Sequence, residues 1–600
     1  MSPVRSVTYV SSRSSVLEKL HVAVSIFVVL RLLLVLLGSV LAIAILEWRH
    51  KALTRFLNEK STALNLAVAR VAVAATLLWQ IRLHPILLDT SLDPALRVPF
   101  RIWGRLAAHL VAPPPVITAI YAIFLASTVL MLIGLAGRIA SAVTAITATY
   151  LISFLFLYGK VDHIYHHLIF FSVVCALFPC TDTLSLDAIW AAWRDADTRR
   201  LRRCQPGIVY GYALRSMWLF VGLAYYFPGL WKFSRGWARW LSGKILHDYI
   251  ARAGDVLPWT SFQVWVFQHP TLMVAASAIV VVFELGFIFL IIFPQLRPLA
   301  GFLGLAFHNA TYLILRISFN SLQSCYVIFF DWTVIFSWIS RKLSLGGATV
   351  LYDPHCKLCR RAAGTLSIFD WTSSLTFVPN PGASNFLVTT DAGRAGDGYE
   401  GYKLIAARLP VLWPLRPFMG LPGIQQLGTA LYERVARSRT CSILDKTQAG
   451  GEKLICPEAA PFARALPLAG LGLMVILGLF HVENSWPLSC FPTFDGRTTD
   501  TLTQLFVQTL DAGNVAEDWN VSWDPKLLAA YPRWRTLTIQ GMDPRPVARP
   551  KVAAVVDLWL KYHPDLHPKR VSVFVDTYQM RSLEASRARI ARRKNCEFAF

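Results

Sequence analysis

A series of long apolar runs limits what this chain can fold into more than any other feature. Leu20–Leu46 carries a single charge, Arg31, over a stretch long enough to cross about 30 Å of hydrocarbon. A soluble core has no need of such runs, and in lipid a helix satisfies all its own backbone groups. The pattern predicts about ten spans, near residues 22–46, 63–82, 113–134, 138–158, 164–180, 210–228, 271–293, 298–318, 322–340 and 464–481. Charges, prolines or aromatic residues bound each one, as at Ala112-Pro-Pro-Pro115 and Phe293-Pro-Gln-Leu-Arg297. Composition agrees: 16% of residues are charged, against about 25% in a soluble domain. The first run lacks a small-x-small cleavage site after it and reads as a retained anchor.

The formal net charge of +23 raises the question of nucleic acid. Many arginines instead sit in short loops beside apolar helices, where they set topology and meet anionic headgroups. The expected partners are therefore membrane lipids, not nucleic acid. Arg194, Arg199, Arg200, Arg202 and Arg203 make residues 190–206 the densest basic loop, which the positive-inside rule places in the cytoplasm. Residues 229–270 then lie outside, residues 346–460 in the cytoplasm, and everything after residue 481 outside or in a lumen. Trp218, Trp231, Trp237 and Trp240 read as an aromatic belt at one end of a span.

A second signal is local. Ala348–Tyr352 reads as a short strand after Gly346-Gly347. Asp353-Pro-His-Cys356-Lys-Leu-Cys359-Arg-Arg361 follows, then a helical pattern to about Phe369. At a helix start, unpaired N–H groups and the helix dipole favour a thiolate at Cys356. His355, Lys357, Arg360 and Arg361 act in the same sense, and Cys359 lies one turn on, in reach to resolve a mixed disulfide. Zinc would need four ligands, commonly two such pairs, and Cys441 and Cys456 form no second CxxC. A purely structural pair is the remaining alternative. The glycine-rich stretch 391–401 lacks the spacing of a dinucleotide fingerprint.

This stretch resembles the DCC family of thiol-disulfide oxidoreductases, a thioredoxin-like group named for an Asp-x-x-Cys-x-x-Cys motif, here Asp353, Cys356 and Cys359. The resemblance extends through Phe377-Val378, Gly401 and Leu421-Pro-Gly to Leu431-Tyr-Glu-Arg-Val-Ala-Arg437-Ser-Arg439. It departs at Pro354, where the family usually has glycine. It implies a redox-active pair with Cys356 as nucleophile and a thiol or disulfide as partner. A membrane quinone is a conceivable electron acceptor, although no quinone-site signature is present.

Ionisable residues inside spans are costly and need a reason. Asp162-His163-Ile-Tyr165-His166-His167 opens the fifth predicted span, Gly229-Leu-Trp-Lys232 follows the sixth, and His308-Asn309 lies inside the eighth, with Tyr312 and Arg316 beyond. Glu284 in the seventh is a candidate counter-charge. The expected topology brings His163, Lys232 and His308 towards one outward-facing cavity. A desolvated lysine favours its neutral form and can act as a base, and histidines can relay protons. Other readings stand beside this one: an interfacial, snorkelling Lys232, a hydrogen-bonded bundle histidine at His308, and metal binding by His163 and His167.

Residues 62–340 resemble the horizontally transferred transmembrane (HTTM) domain shared with vitamin K-dependent gamma-carboxylases. The matching stretches are Leu66-Ala-Val-Ala-Arg70, Asp162-His-Ile-Tyr165, Pro179 through Leu184-Ser-Leu-Asp187, Tyr226-Phe-Pro-Gly229-Leu-Trp-Lys232 and Phe307-His308. The resemblance implies that Lys232 is a base or its relay, assisted by His163 and His308. Trp231 stands where the carboxylases have a second lysine.

The expected fold is a mostly α-helical polytopic membrane protein with an inserted thioredoxin-like α/β domain and a C-terminal extramembrane α+β region. Its divisions are residues 1–61 with the first span, the membrane domain 62–340, the CxxC domain 346–460, the last span 464–481 and the region 482–600. In that last region Asn520-Val-Ser522 is a glycosylation sequon, Cys490 and Cys596 are candidates for a pair, and Arg581–Lys594 reads as a basic helix on anionic lipid. The functional expectation is a membrane-bound thiol-disulfide oxidoreductase fused to a carboxylase-like membrane domain. The rivals are a transporter or lipid-binding scaffold with a regulatory CxxC, and an outward-facing enzyme with a lysine base.

Overall fold

The computed structural model describes residues 11–98, 111–158, 161, 163–196, 200–253, 259–383, 385–437, 452–455, 457–483, 485–489, 501–510, 516–531, 534–579 and 589–599. In chain order its membrane part contains α1 (Ser11–His50), α2 (Ala63–Gln80), α3 (Pro114–Ile133), α4 (Gly137–Phe154), α5 (His166–Leu177), α6 (Leu186–Asp195), α7 (Ile208–Leu241), α8 (Lys244–Ala253), α9 (Pro270–Ile292), α10 (Arg297–Leu315) and α11 (Trp332–Lys342). Among the described residues, eight helices are long and apolar enough to cross a bilayer: α1 to α4, α7, α9, α10 and the later α15 (Pro461–Leu479).

Three of the ten expected spans take another form. The fifth, 164–180, is the 12-residue α5 after a single 3-10 turn at His163–Tyr165. It rises only about 18 Å. Its side chains from His166 to Phe171 are all buried, so its apolar character serves the interior of the bundle and not lipid. The ninth, 322–340, is broken: Asn320–Phe329 and α11 meet at 70°. Asp331 accepts hydrogen bonds from the Thr333 and Val334 N–H groups at 3.0 and 3.3 Å, so it caps a new helix and does not continue the old one. The sixth does not end at Pro228 but runs on to Leu241. Packing overrides the proline there: a Cβ on Gly229 would come within 2.9 Å of Glu284 Cβ, so the bare glycine lets α9 seat against α7 just past the proline.

The expected tryptophan belt is also revised. Trp218, Trp231 and Trp240 are buried inside the bundle. Trp218 and Trp231 donate to the Ile328 and Gly478 carbonyls at 2.7 and 2.8 Å.

Buried charges lock the bundle at the end where α2 and α7 begin. Arg297 makes a two-pronged contact with Glu59 and stacks 4.0 Å from the centre of the Trp218 ring. Arg70 is wholly buried and donates to the carbonyls of Cys180 (3.1 Å), Leu132 (3.0 Å), Met131 and Leu184. One guanidinium thereby ties α2 to the ends of α3 and α5.

Beyond α11 the chain forms β2 (Ala348–Tyr352), α12 (Lys357–Phe369), β3 (Leu375–Pro379), β4 (Leu387–Thr390), β5 (Ala395–Asp397), α13 (Gly398–Ala406) and α14 (Pro422–Arg437). The sheet order is β3-β2-β4-β5; β2 runs parallel to β3 and antiparallel to β4. This unit is packed onto the membrane domain. Strand β1 (Leu201–Cys204) pairs in parallel with β6 (Glu452–Ile455). Thr183 Oγ1 donates to the Ile368 carbonyl at 2.8 Å, Trp371 Nε1 donates to Thr183 Oγ1 at 2.9 Å, and Arg203 meets Asp370 at 3.3 Å.

The C-terminal region is a four-stranded antiparallel sheet, order β10-β9-β7-β8, made of β7 (Thr501–Leu510), β8 (Ala516–Asn520), β9 (Arg570–Gln579) and β10 (Arg589–Ala599). Helices α16 (Trp534–Gly541) and α17 (Arg549–Lys561) cover it. The expected basic helix at 581–594 is corrected in its described part: Arg589–Lys594 lies in β10, where Arg589 and Arg592 meet the buried Asp576 at 3.0 and 2.8 Å. A buried carboxylate needs such partners, and alternating strand geometry supplies them. Residues 581–588 lie outside the described residues, as do Asp162, Arg199, Cys441, Cys456 and Cys490.

Candidate functional site

Helices α7, α9 and α10, with residues at and just before the start of α5, line a cavity of about 410 Å³. Its walls are mostly apolar, among them Val221, Phe283, Leu303 and Phe307. His163, Lys232 and His308 all line it, together with Tyr225, Glu284 and His167. The three residues singled out in the sequence thus meet in one space, although 145 positions separate the first from the last.

Lys232 sits one turn past Pro228, on the same face of α7 as Tyr225 seven residues earlier. It is 1% exposed, so it does not snorkel. Its ammonium forms a buried ion pair with Glu284 Oε1 and lies 5.0 Å from the centre of the Trp240 ring. Glu284 is 4% exposed, and its second oxygen has no hydrogen-bond partner among the described residues. His308, equally buried, shares a 2.7 Å hydrogen bond between Nε2 and the Tyr225 hydroxyl, which in turn contacts the Tyr326 hydroxyl. His308 Nδ1 has no partner among the described residues. His163 Nδ1 hydrogen-bonds Ser489 Oγ at 3.2 Å, and His167 Nε2 donates to the Ser321 carbonyl at 2.9 Å. Asn309 and Tyr312 are exposed and take no part in the cavity lining.

The chemistry of such a site follows from its partners. A buried, unsatisfied nitrogen or oxygen costs about 1–3 kcal/mol. Here two such atoms, His308 Nδ1 and Glu284 Oε2, belong to side chains lining an apolar space. A ligand offering both a donor and an acceptor would satisfy both. The hydroxyl chain Tyr326–Tyr225–His308 can shift protons in either direction, because each hydroxyl both donates and accepts.

The cysteine pair lies elsewhere. Cys356 is the N-cap of α12, and its sulfur accepts from the Cys359 N–H at 3.2 Å. The two sulfurs are 2.7 Å apart as free thiols, and the residues are only 1% and 4% exposed. Asp353 caps the preceding turn by accepting from the His355 N–H at 2.9 Å. Two of the basic neighbours make hydrogen bonds away from the sulfurs. Arg360 donates to the Ala196 and Pro354 carbonyls at 2.9 and 2.7 Å, and Arg361 to the Trp193 carbonyl at 3.3 Å. Docking on residues 182–204 therefore redirects two charges that the sequence had assigned to the thiols. The cavity is separate: from Ile208, beside β1, α7 rises about 18 Å to Phe220, where the cavity lining begins, and about 36 Å to Lys232. Among the described residues, no group of three or more His, Cys, Asp or Glu side chains is placed to hold a metal ion.

Sequence reasoning missed Tyr225 and Tyr326 and gave Glu284 only as a counter-charge. The spacing of Tyr225 to Lys232, two helical turns, was a usable signal. It was hidden by ending the span at Pro228.

Eight helices long and apolar enough to cross a bilayer, among the described residues, define an integral membrane protein. Residues 58–337 match the family model described as the HTTM domain, which covers the bundle from α2 to α11 and every cavity residue named above. No curated protein and no solved structure matches the chain.

Proposed function

We propose that the membrane domain is a carboxylase-like enzyme that holds an apolar substrate in the cavity, takes a proton from one of its carbons onto the lysine amine, and lets the resulting carbanion add carbon dioxide. The observation carrying this reading is the meeting of Lys232, Glu284 and His308 in one mostly apolar space. Lys232 and Glu284 act as a unit. Passage of the lysine proton to Glu284 leaves a neutral amine, the basic form, and creates no net charge in a medium where isolated charges are costly. His308, fed by Tyr225 and Tyr326, supplies a proton donor or acceptor at the other side of the ligand. The HTTM match supports this assignment.

The test compares membranes of cells lacking the gene with membranes complemented by wild type, Lys232→Ala or His308→Ala. Mass spectrometry should find a lipid or peptide carrying one added carboxyl group only with wild type, at equal protein levels. The same profile in all four membranes rules the reading out.

A second reading concerns residues 346–437. We propose that this unit is a thioredoxin-like dithiol of the DCC class, with Cys356 as nucleophile and Cys359 as resolving thiol. It is favoured by a CxxC at the start of the helix after the central strand, and by the β3-β2-β4-β5 order with one parallel and two antiparallel pairings. The cavity lining on α7 begins at Phe220, about 18 Å of helix from Ile208 beside β1. Titration of purified protein should show a dithiol–disulfide couple that Cys356→Ser removes; an unchanged couple in Cys356→Ser would overturn it.

A further inference from the structure

Helix α14 has two sides of different character. Tyr432 and Gln425 face the CxxC unit, where Tyr432 packs on Tyr402 and Gln425 Nε2 donates to Glu400 at 3.0 Å. Turned away from them, Ile424, Leu427 and Leu431 form a stripe at helical spacing and are 40%, 70% and 59% exposed. The stripe continues into the preceding segment, where Leu415, Phe418 and Leu421 are each about half exposed. No described residue covers these side chains. So contiguous an apolar surface on a soluble face marks a docking site.

Its position says what it docks on. Thr333 Oγ1 hydrogen-bonds Thr62 Oγ1 at 2.9 Å, and Asn65 donates to Asp331 at 3.2 Å. These contacts pin the start of α11 to the first turn of the span α2, at the edge of the hydrocarbon. From that point α11 turns by 70° from the preceding helix, with Val334 and Trp338 exposed as on an interfacial helix. Phe336 of α11 packs against both Trp371 and Trp413 of the CxxC unit, at ring separations of 5.6 and 5.8 Å. Leu415 and Phe418 follow Trp413 directly, so the exposed surface begins at the level of the bilayer boundary. Arg416, Arg434 and Arg437, all exposed, flank the apolar side chains.

We infer that residues 415–437 form a membrane-docking surface: the Ile424–Leu427–Leu431 stripe lies in the headgroup layer on the face of the bilayer that carries the CxxC unit, and the arginines engage anionic phospholipid. Docking holds the unit against the membrane through its last helix, and this does not depend on any chemistry at the thiols or in the cavity.

The experiment places the photo-reactive residue benzoylphenylalanine at Leu427 in the full chain, with Gln426, exposed on another side of α14, as control. The protein is held in nanodiscs of phosphatidylcholine with or without phosphatidylglycerol and irradiated. Phospholipid adducts at position 427 should exceed those at 426 at least fivefold, should favour phosphatidylglycerol, and should lose that preference in Arg434→Gln/Arg437→Gln. Equal lipid labelling at the two positions overturns the inference. So does cross-linking of position 427 to a second copy, to residues 438–451 of the same chain, or to another protein.

Discussion

Two buried cations in this molecule can be compared directly. Arg70 and Lys232 both sit inside the helical bundle with almost no solvent contact, yet their surroundings are opposites. Four carbonyls accept from the Arg70 guanidinium, and it lines no part of the cavity. Lys232 is ion-paired with a carboxylate whose second oxygen is unpartnered among the described residues and whose side chain lines a cavity. A fully satisfied buried charge fastens elements together. A buried ion pair whose carboxylate keeps an unpartnered oxygen beside a cavity is left with capacity for a ligand.

The largest effect expected from this contrast falls at Arg70. Arg70→Met removes the guanidinium donor from four carbonyls, two in α3 and two in the loop after α5, and should destabilise the fold by about 4 kcal/mol or more. Thermal unfolding in nanodiscs measures it. A loss under about 1 kcal/mol would show that those carbonyls find other donors, and the contrast with Lys232 would weaken.

Next comes the ion pair. Lys232→Met strands a buried carboxylate and should cost about 3 kcal/mol, whereas Lys232→Met/Glu284→Leu should return to within about 1 kcal/mol of wild type. Both variants should lose the modified product proposed above. That separation of stability from activity is what a site predicts. A double variant as unstable as the single one would instead make the pair a fastening like Arg70.

How far these sites were legible in the sequence depended on how local their cause is. The strand Ala348–Tyr352, the CxxC and the helix to Phe369 could be read because one short segment contains them. The spans could be read because lipid demands apolar length. The errors came where packing decides. Helix α5 is apolar because it is enclosed, not because it crosses, and Pro228 lies mid-helix because Gly229 seats α9 against α7. Tyr326 enters the site from a bent segment whose geometry no periodicity reports. Arg360 and Arg361 turn to carbonyls on and next to α6, a contact between regions far apart in the chain.

A smaller effect is expected at Tyr225, whose hydroxyl joins His308 to Tyr326. Tyr225→Phe keeps the ring packing and removes that link, so it should cost only about 1 kcal/mol of stability. Turnover should fall more steeply than stability does. If turnover is unchanged, the hydroxyl chain is a fastening and His308 acts alone.

The smallest effect extends the comparison to thiols. Cys204 in β1 is mostly enclosed; its sulfur contacts the Asp182 carbonyl at 3.3 Å, and burial pushes its pKa up to about 12. A free cysteine ionises near about 8.5. At pH 8 the thiolate fraction, and with it the rate of alkylation, should therefore be about three orders of magnitude lower in the folded chain than in the unfolded one. The sign for stability follows from the same shift. The folded state keeps a proton that the unfolded state loses, so the stabilisation by the neutral thiol is full below about pH 8.5 and declines as pH rises towards 12. Cys204→Ala should flatten that decline and change little near neutrality. Mass spectrometry after maleimide treatment at pH 8, in nanodiscs and in denaturant, reads the labelling of Cys204 and of the CxxC pair in one digest. Rapid labelling of folded Cys204 would mean that the β1–β6 contact opens readily. The docking of the CxxC unit on residues 182–204 would then be a reversible association and not a fixed joint.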